Sequence, residues 1–291
     1  MPVFERNYRG YTGKVIPLRK RIYVLARYGF AEAWSSKVTV GLFTISLLPF
    51  IVFLILIYIA NNPVMRMMLF KGNSDGFAID ARFFLTVLQI QSWFALALMS
   101  WIAPRLISFD LADNALPILL SHPISRLGYV TGKIGALFTF LSAVTWVPCL
   151  VLFAYQSYSS PQSWAINNLS IAGGLLAGAV IWIAFLSVLG LALSSWVKWR
   201  VVATGAIFAA VFVPAGVGAI VSAILRTKWG SLLNIPMMMS LLWGRLLGAP
   251  EIFRSRNSIP TTAIVVTLAV ACSLCAAMLN RRIRAREVVR G

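Results

Sequence analysis

Few residues in this sequence could carry acid–base chemistry, and three of them share one short stretch. The chain has eight acidic residues and one histidine. Asp110, Asp113 and His122 stand together between two long apolar runs. A carboxylate and an imidazole held close together can act as general acid and base. This cluster is therefore the candidate for catalysis, of the kind that a membrane-embedded lipid-modifying enzyme would need.

The other reactive residues form no catalytic or metal-binding pattern. The eight acids lie outside the centres of the apolar runs, whereas proton relays and intramembrane catalysts place ionisable groups within the membrane. Cys272 and Cys275 have redox or metal spacing, but no further Cys or His lies near them in the sequence. GYVTGKI (128–134) is one residue short for a phosphate-binding loop. We therefore expect no catalysis, metal or cofactor in this chain, and rank the lipid-modifying enzyme lowest.

The elements that must position these residues are membrane spans. The chain has 291 residues, 59% of them hydrophobic and 12% charged. So few charges cannot cover a soluble fold of this length, which leaves lipid as the solvent for much of the surface. A helix of about 20 apolar residues crosses a bilayer. Six runs qualify: 39–60, 83–107, 129–154, 171–197, 201–224 and 262–280. The sequence predicts an all-α integral membrane protein with six transmembrane helices.

The basic residues indicate how the spans are oriented. The net charge of +18 is distributed in clusters beside the apolar runs, which favours membrane orientation and contact with anionic lipid over nucleic-acid binding. With both termini in the cytoplasm, eighteen of the 26 basic residues lie inside. A seventh span at 231–248 would move the basic tail outside, so we interpret this segment as a re-entrant or interfacial helix of the outer leaflet. We expect the protein in the bacterial inner membrane.

One transmembrane domain, 39–280, is predicted between a cytoplasmic segment, 1–38, and a basic cytoplasmic tail, 281–291. In the first segment, 21–37 alternates apolar and charged residues at near-helical spacing. This pattern favours an amphipathic helix on the inner membrane surface, with Tyr23, Tyr28 and Trp34 at headgroup depth. The alternative is a helical lead-in to the first span.

The polar residues inside the predicted spans are neutral. In the second run Gln89, Trp93 and Ser100 recur at helical spacing, whereas Gln91 faces elsewhere. This stripe could line a translocation path, and packing against another helix is the alternative.

Small residues form a second stripe, in the fourth run. Gly174-x-x-x-Gly178 is continued by Ser187, Gly190 and Ser194 on one side of the predicted helix. Small side chains allow two helix backbones to approach closely. The pattern indicates a close helix–helix contact.

The stretch between the second and third runs predicts a short cytoplasmic helix. Asp110 and Asp113 suit its first turn, where the helix dipole favours anions. Leu111, Leu116, Leu119 and Leu120 would form an apolar side, and Pro123 would end the helix. Such a helix has a surface for docking on the membrane or on a partner protein.

The residue order in this stretch resembles the loop of ABC-2 type permeases, the membrane subunits of one class of ABC exporter. The sequence reads LIS-x-D-x(5)-L-x-x-LLS-x-PISR-x-x-Y-x-x-GK from Leu106 to Lys133. The family shows an acid, an L-x-LLLS-x-P-x-SR run and GK at the start of the next span. The matching residues are Asp110, Leu116, Leu119, Leu120, Ser121, Pro123, Ser125, Arg126, Gly132 and Lys133.

The resemblance implies a coupling helix that sits in a groove of a separate ABC-type ATPase subunit, which binds ATP and Mg²⁺. It also implies a second permease copy, in a homodimer or heterodimer, and export as the direction of transport. The residues expected at the ATPase are Asp110, Asp113, Leu116, Leu119, Leu120, His122 and Arg126. The alternative from another class is a non-transporting scaffold or assembly factor that docks a cytoplasmic partner.

Overall fold

The computed structural model describes residues 17–70, 78–112, 126–197, 199–249 and 259–282. Within these ranges all regular secondary structure is helical. The helices are α1 Leu18–Trp34, α2 Lys37–Ser46, α3 Leu48–Asn61, α4 Pro63–Phe70, α5 Ala81–Ala112, α6 Arg126–Val144, α7 Trp146–Ser159, α8 Gln162–Asn167, α9 Leu169–Trp196, α10 Arg200–Ile224, a 3₁₀ turn Trp229–Leu233, α11 Ile235–Leu246 and α12 Thr261–Arg282.

Within the described residues, six helical segments are long and apolar enough to cross a membrane. These first to sixth spans are Lys37–Asn61, Ala81–Ile107, Leu127–Ser159, Leu169–Trp196, Arg200–Ile224 and Thr261–Arg282. The prediction of an all-helical chain with six apolar helices of this length is confirmed, with limits that differ by a few residues, as helix ends commonly do.

The second, third and fourth spans form the centre of the bundle. In the most apolar 18 residues of these spans 67%, 61% and 67% are buried, against 17% in each of the first, fifth and sixth. The outer spans are nevertheless apolar on their exposed sides, for example at Val201 and Ile220 of the fifth span and Val266 of the sixth. Such surfaces are stable when lipid or another apolar helix covers them.

Contacts at the span ends define two faces of the bundle. Arg282, ending the sixth span, donates from Nε to the Ser195 carbonyl near the end of the fourth, at 3.3 Å. At the other end Asn61 of the first span donates to Gln156 Oε1 of the third, at 2.8 Å. We call the end that holds Arg282 the N-terminal face, since the first span begins there, and the other end the opposite face.

The first and third spans are each interrupted, and one residue of the second span contacts both interruptions. The helices break at Leu47 and Thr145, each shortly before a proline. Gln91 is fully buried. With its side-chain amide oriented to satisfy both neighbours, Gln91 Nε2 donates to the Ser46 carbonyl at 3.1 Å and to the Val144 carbonyl at 3.2 Å. The expectation that Gln91 points away from the stripe of Gln89 is confirmed.

The N-terminal helix α1 packs along the start of the third span. A Cβ atom on Gly132 would lie 2.7 Å from Leu25 Cδ2, so the two helices are in close contact. Phe30 stacks on Phe140 with ring centroids 4.4 Å apart. Tyr23 and Tyr28 are 69% and 71% exposed. The placement of α1 at headgroup depth stays a prediction.

The stretch that we predicted as a separate cytoplasmic helix begins, in the structure, as the end of helix α5. Helix α5 continues without a break to Ala112, so Asp110 lies in its last turn and not in the first turn of a new helix. The prediction for Asp110 is wrong because 105–112 contains no glycine or proline that would stop helix propagation. Arg126 is the first residue of α6. Asp113, Leu116, Leu119, Leu120 and His122 lie outside the described residues.

Candidate functional site

Helix α11 lies between the fifth and sixth spans and is anchored at both ends. Asn234 caps its start by accepting a hydrogen bond from the Met237 backbone N–H at 2.9 Å. Near its end, Arg245 donates to Thr261 Oγ1 at 2.6 Å and also to the Ile259 carbonyl. Thr261 begins the sixth span, and Ile259 lies two residues before it. The short helix is therefore held rigidly against the bundle.

The glycines of the fourth span determine how closely α11 approaches. A Cβ atom on Gly174 would lie 2.5 Å from the Leu246 carbonyl oxygen, and one on Gly178 would lie 2.6 Å from Trp243 Cδ1. Trp243 Nε1 donates to the Gly178 carbonyl at 3.0 Å. The predicted close contact of this stripe is confirmed, and its partner here is α11. Further along, Gly190 lies against Met99 of the second span.

A cavity of about 200 Å³ lies between α11 and the second and fourth spans. Its lining residues are Gln89, Ser92, Trp93, Trp182, Pro236, Met239, Ser240 and Trp243. Gln89 and Gly178 lie eight and nine residues from the start of their helices, or about 12–14 Å along the axis at the ordinary helical rise. The cavity therefore lies below the opposite face and not at its surface.

Two tryptophans form the rigid wall of this cavity. Trp182 and Trp243 are both 2% exposed, and their rings meet edge-to-face with centroids 5.9 Å apart. The Trp182 indole N–H donates to the Ser92 carbonyl at 3.4 Å, and the Trp243 indole N–H donates to the Gly178 carbonyl. Because both polar edges are occupied, these two residues present aromatic carbon to the cavity.

The polar groups of the cavity leave one side-chain amide available. Ser92 donates to the Gln89 carbonyl at 2.6 Å and Ser240 to the Pro236 carbonyl at 2.9 Å, so both hydroxyl protons are used within their own helices. The half-buried Gln89 amide makes no hydrogen bond to the described residues. It can offer two donors and one acceptor to a ligand.

Trp93 connects the cavity to the fifth span. Its ring stacks on Phe212 with centroids 5.8 Å apart and planes 5° from parallel. Phe208 extends the stack, 6.2 Å from Phe212. Trp93 is 44% exposed, so this aromatic row leads from the cavity towards the outside of the bundle.

The structure divides the predicted stripe of the second span. Gln89 and Trp93 line the cavity, whereas Ser100 does not. Ser100 is 2% exposed, and its hydroxyl donates to the Ala97 carbonyl at 2.8 Å. Its own carbonyl accepts from Thr204 Oγ1 of the fifth span at 2.9 Å. Packing between helices, the alternative interpretation of the stripe, describes its end at Ser100, nearer the N-terminal face.

Sequence reasoning did not identify Trp182, Met239, Ser240 and Trp243 as cavity residues. Trp182 follows Gly178 by one helical turn, and this spacing could have indicated that Trp182 faces the same neighbour as the glycine stripe. Trp243 and Ser240 lie in the apolar segment that Asn234 and Pro236 interrupt. Long-range contacts place this segment against the fourth span, so the local pattern could not predict its position.

The cavity is suited to binding and not to acid–base chemistry. Its lining residues are neutral aromatic, apolar, hydroxyl and amide groups. Within the described part of the chain, no group of three or more His, Cys, Asp and Glu residues could hold a metal ion. No protein-family model and no curated protein matches the chain.

Proposed function

We propose that this protein is the membrane permease subunit of an ATP-driven ABC exporter. The observation that carries the proposal is the residue order from Leu106 to Lys133, with its acid, paired leucines, PISR and GK. Six apolar helices of membrane-spanning length are compatible with it. In this proposal, residues 108–126 dock on a separate ATPase subunit, and ATP and Mg²⁺ bind there.

The second span offers a mechanical route between the proposed ATPase contact and the cavity. Helix α5 runs without a break from Gln89, at the cavity, to Ala112, at the proposed contact. The 23 helical steps between these two residues measure about 35 Å at the ordinary helical rise. Movement at the ATPase would therefore tilt or shift a single helix that forms one wall of the cavity. Pro104, inside this helix, is a natural place for a bend.

We infer that the cavity is the outer section of the translocation path in its closed conformation. A volume of about 200 Å³ is below the ~300–1,000 Å³ typical of sites for drug-sized ligands, so opening must separate α11 from the spans. The aromatic walls and the Gln89 amide favour an amphiphilic or lipid-like substrate with a hydrogen-bonding group.

The proposed membrane arrangement follows from the basic residues. The N-terminal face would be cytoplasmic, since it holds Lys37, Arg105, Arg200 and Arg282. Helix α11 would then be a re-entrant helix of the outer leaflet, and α1 an interfacial helix of the inner one. A second permease copy would complete the path.

The direct test is co-purification from native membranes in mild detergent, followed by mass spectrometry. We expect a stoichiometric ATPase with the wild-type protein and its loss with Leu116→Glu/Leu119→Glu. A matched control is Val64→Glu/Met67→Glu, which has the same spacing on exposed residues of α4 and should keep the ATPase. Absence of an ATPase would favour the scaffold function, and an ATPase retained by the leucine variant would place its contact elsewhere.

A further inference from the structure

Three side chains with hydrogen-bond donors meet at the N-terminal face, where the second span ends and the fifth begins. Trp101 and Arg105 are one turn apart on the same side of α5. Arg200 is the first residue of α10, and its Cζ atom lies 3.9 Å from the centre of the Trp101 indole. We call Trp101, Arg105 and Arg200 the arginine cluster.

The arginine cluster has buried donors that no described residue satisfies. Trp101 Nε1, Arg105 Nε and both Nε and Nη2 of Arg200 are shielded from solvent without a hydrogen-bond partner in the described chain. Stacking on Trp101 offsets part of the cost for Arg200. The N–H groups still require acceptors, since a buried donor left unsatisfied costs about 1–3 kcal/mol.

The two guanidinium groups also act on each other as like charges. Both carry a positive charge, and like charges held close together repel each other. By contrast, Arg282 at the same face donates to the Ser195 carbonyl and lies over the Trp196 ring at 5.8 Å. The deficit of acceptors is therefore a property of the arginine cluster and not of every arginine at this face.

A ligand that satisfies the arginine cluster must be an anion with several acceptor oxygens. Phosphate has this chemistry, and guanidinium groups bind its oxygens through paired N–H donors. The backbone N–H groups at the start of α10 add positive potential. We propose that Trp101, Arg105 and Arg200 bind a phosphate group, supplied by the headgroup of an anionic lipid in the leaflet at the N-terminal face.

The membrane position supports a lipid as the source of the phosphate. Arg105 lies two residues before the end of the second span, and Arg200 is the first residue of the fifth. Side chains at these positions reach the level of lipid headgroups. The binding site is independent of the proposed transport function, because the contacts that define it do not involve the cavity or the predicted ATPase contact.

The test uses the full-length protein in nanodiscs and native mass spectrometry of the lipid retained after extraction. One arm contains phosphatidylglycerol in phosphatidylcholine, and a second contains phosphatidylcholine alone with added inorganic phosphate. We expect Arg105→Gln/Arg200→Gln to weaken phosphatidylglycerol retention about tenfold or more, since it removes two charge-assisted contacts. The control Lys37→Gln/Arg281→Gln removes the same charge from exposed residues of the same face and should stay within about twofold of wild type.

A more conservative variant keeps the proposal testable if the double arginine variant fails to fold. Trp101→Phe keeps an aromatic ring beside Arg200 and removes the indole N–H together with part of the ring area, while both arginines remain, so it should weaken retention by a smaller factor. Equal lipid retention by the wild type and the arginine variant would overturn the proposal. Stabilisation of the wild type by inorganic phosphate alone, lost in the arginine variant, would overturn the lipid source.

Discussion

The side-chain amide of Gln91 lies 3.2 Å from the carbonyl oxygen of Val144, which has no donor within its own helix. The residue four positions after Val144 is Pro148, and proline has no backbone N–H to complete the helical bond. Gln91 thus satisfies a carbonyl in a neighbouring span, and its second hydrogen bond satisfies Ser46 in the first span. One buried amide joins three spans at the two points where helices are interrupted.

Replacing this amide should destabilise the bundle. We expect Gln91→Leu to lower the free energy of unfolding by about 1–3 kcal/mol, because two buried carbonyl groups lose their donor. Thermal unfolding of the purified protein in detergent would measure the change.

A matched control for this variant is available two residues earlier on the same helix, at Gln89. Gln89→Leu makes the same chemical change on the same helix, at an amide that bonds to no described residue, and should leave stability nearly unchanged. Pro148→Ala in the Gln91→Leu background should recover part of the loss, since alanine restores a donor to Val144. Equal unfolding temperatures for Gln91→Leu and Gln89→Leu would contradict this assignment.

The approach of α11 to the fourth span should depend on Gly178. A methyl group there would lie 2.6 Å from Trp243 Cδ1, so Gly178→Ala should displace the indole and cost about 1–3 kcal/mol of stability. Gly173→Ala on the same helix meets nothing within 4 Å and should be neutral or stabilising, since alanine favours helix. A denaturation series compares the two, and similar losses would show that helix geometry and not contact with Trp243 is responsible.

The cavity should admit small reagents and exclude large ones. In a background with Cys149, Cys272 and Cys275 replaced by alanine, Ser240→Cys should react with a small methanethiosulfonate, since Ser240 is half-buried and lines the cavity. A dye-linked maleimide should react far more slowly, because about 200 Å³ leaves no room for it. A variant that retains Cys149 as its single cysteine serves as the unreactive reference, because Cys149 is fully buried. Rapid labelling by both reagents would show that this site lies on an open surface.

The proposed orientation predicts which residues face the outside of the cell. In the same cysteine-free background, Lys228→Cys on the opposite face should react with a membrane-impermeant maleimide in intact cells. Arg281→Cys on the N-terminal face should react only after the membrane is permeabilised. Both positions are exposed, so accessibility within the fold does not distinguish them. The reverse pattern would invert the proposed topology.

Local sequence features accounted for much of the helical layout. The six apolar runs and the stripe at Gly174 and Gly178 were recognised because span length and small-residue spacing are properties of single helices. The start of a separate helix at Asp110 was predicted incorrectly. Charge preference at a helix start is weak compared with the tendency of an uninterrupted helix to continue, and α5 extends to Ala112.

The amino-acid sequence by itself determined the class of protein, the number of membrane-length helices and the sides on which Gln89 and Gln91 point. These follow from hydropathy and helical period, which each segment carries within itself. Only the tertiary structure decided that Trp182 and Trp243 enclose a cavity with Gln89, that Ser100 packs against the fifth span, and that Trp101 meets Arg200. The physical reason is that apolar helices in lipid have many comparable packing partners, so close contacts and individual hydrogen bonds between distant residues select among them.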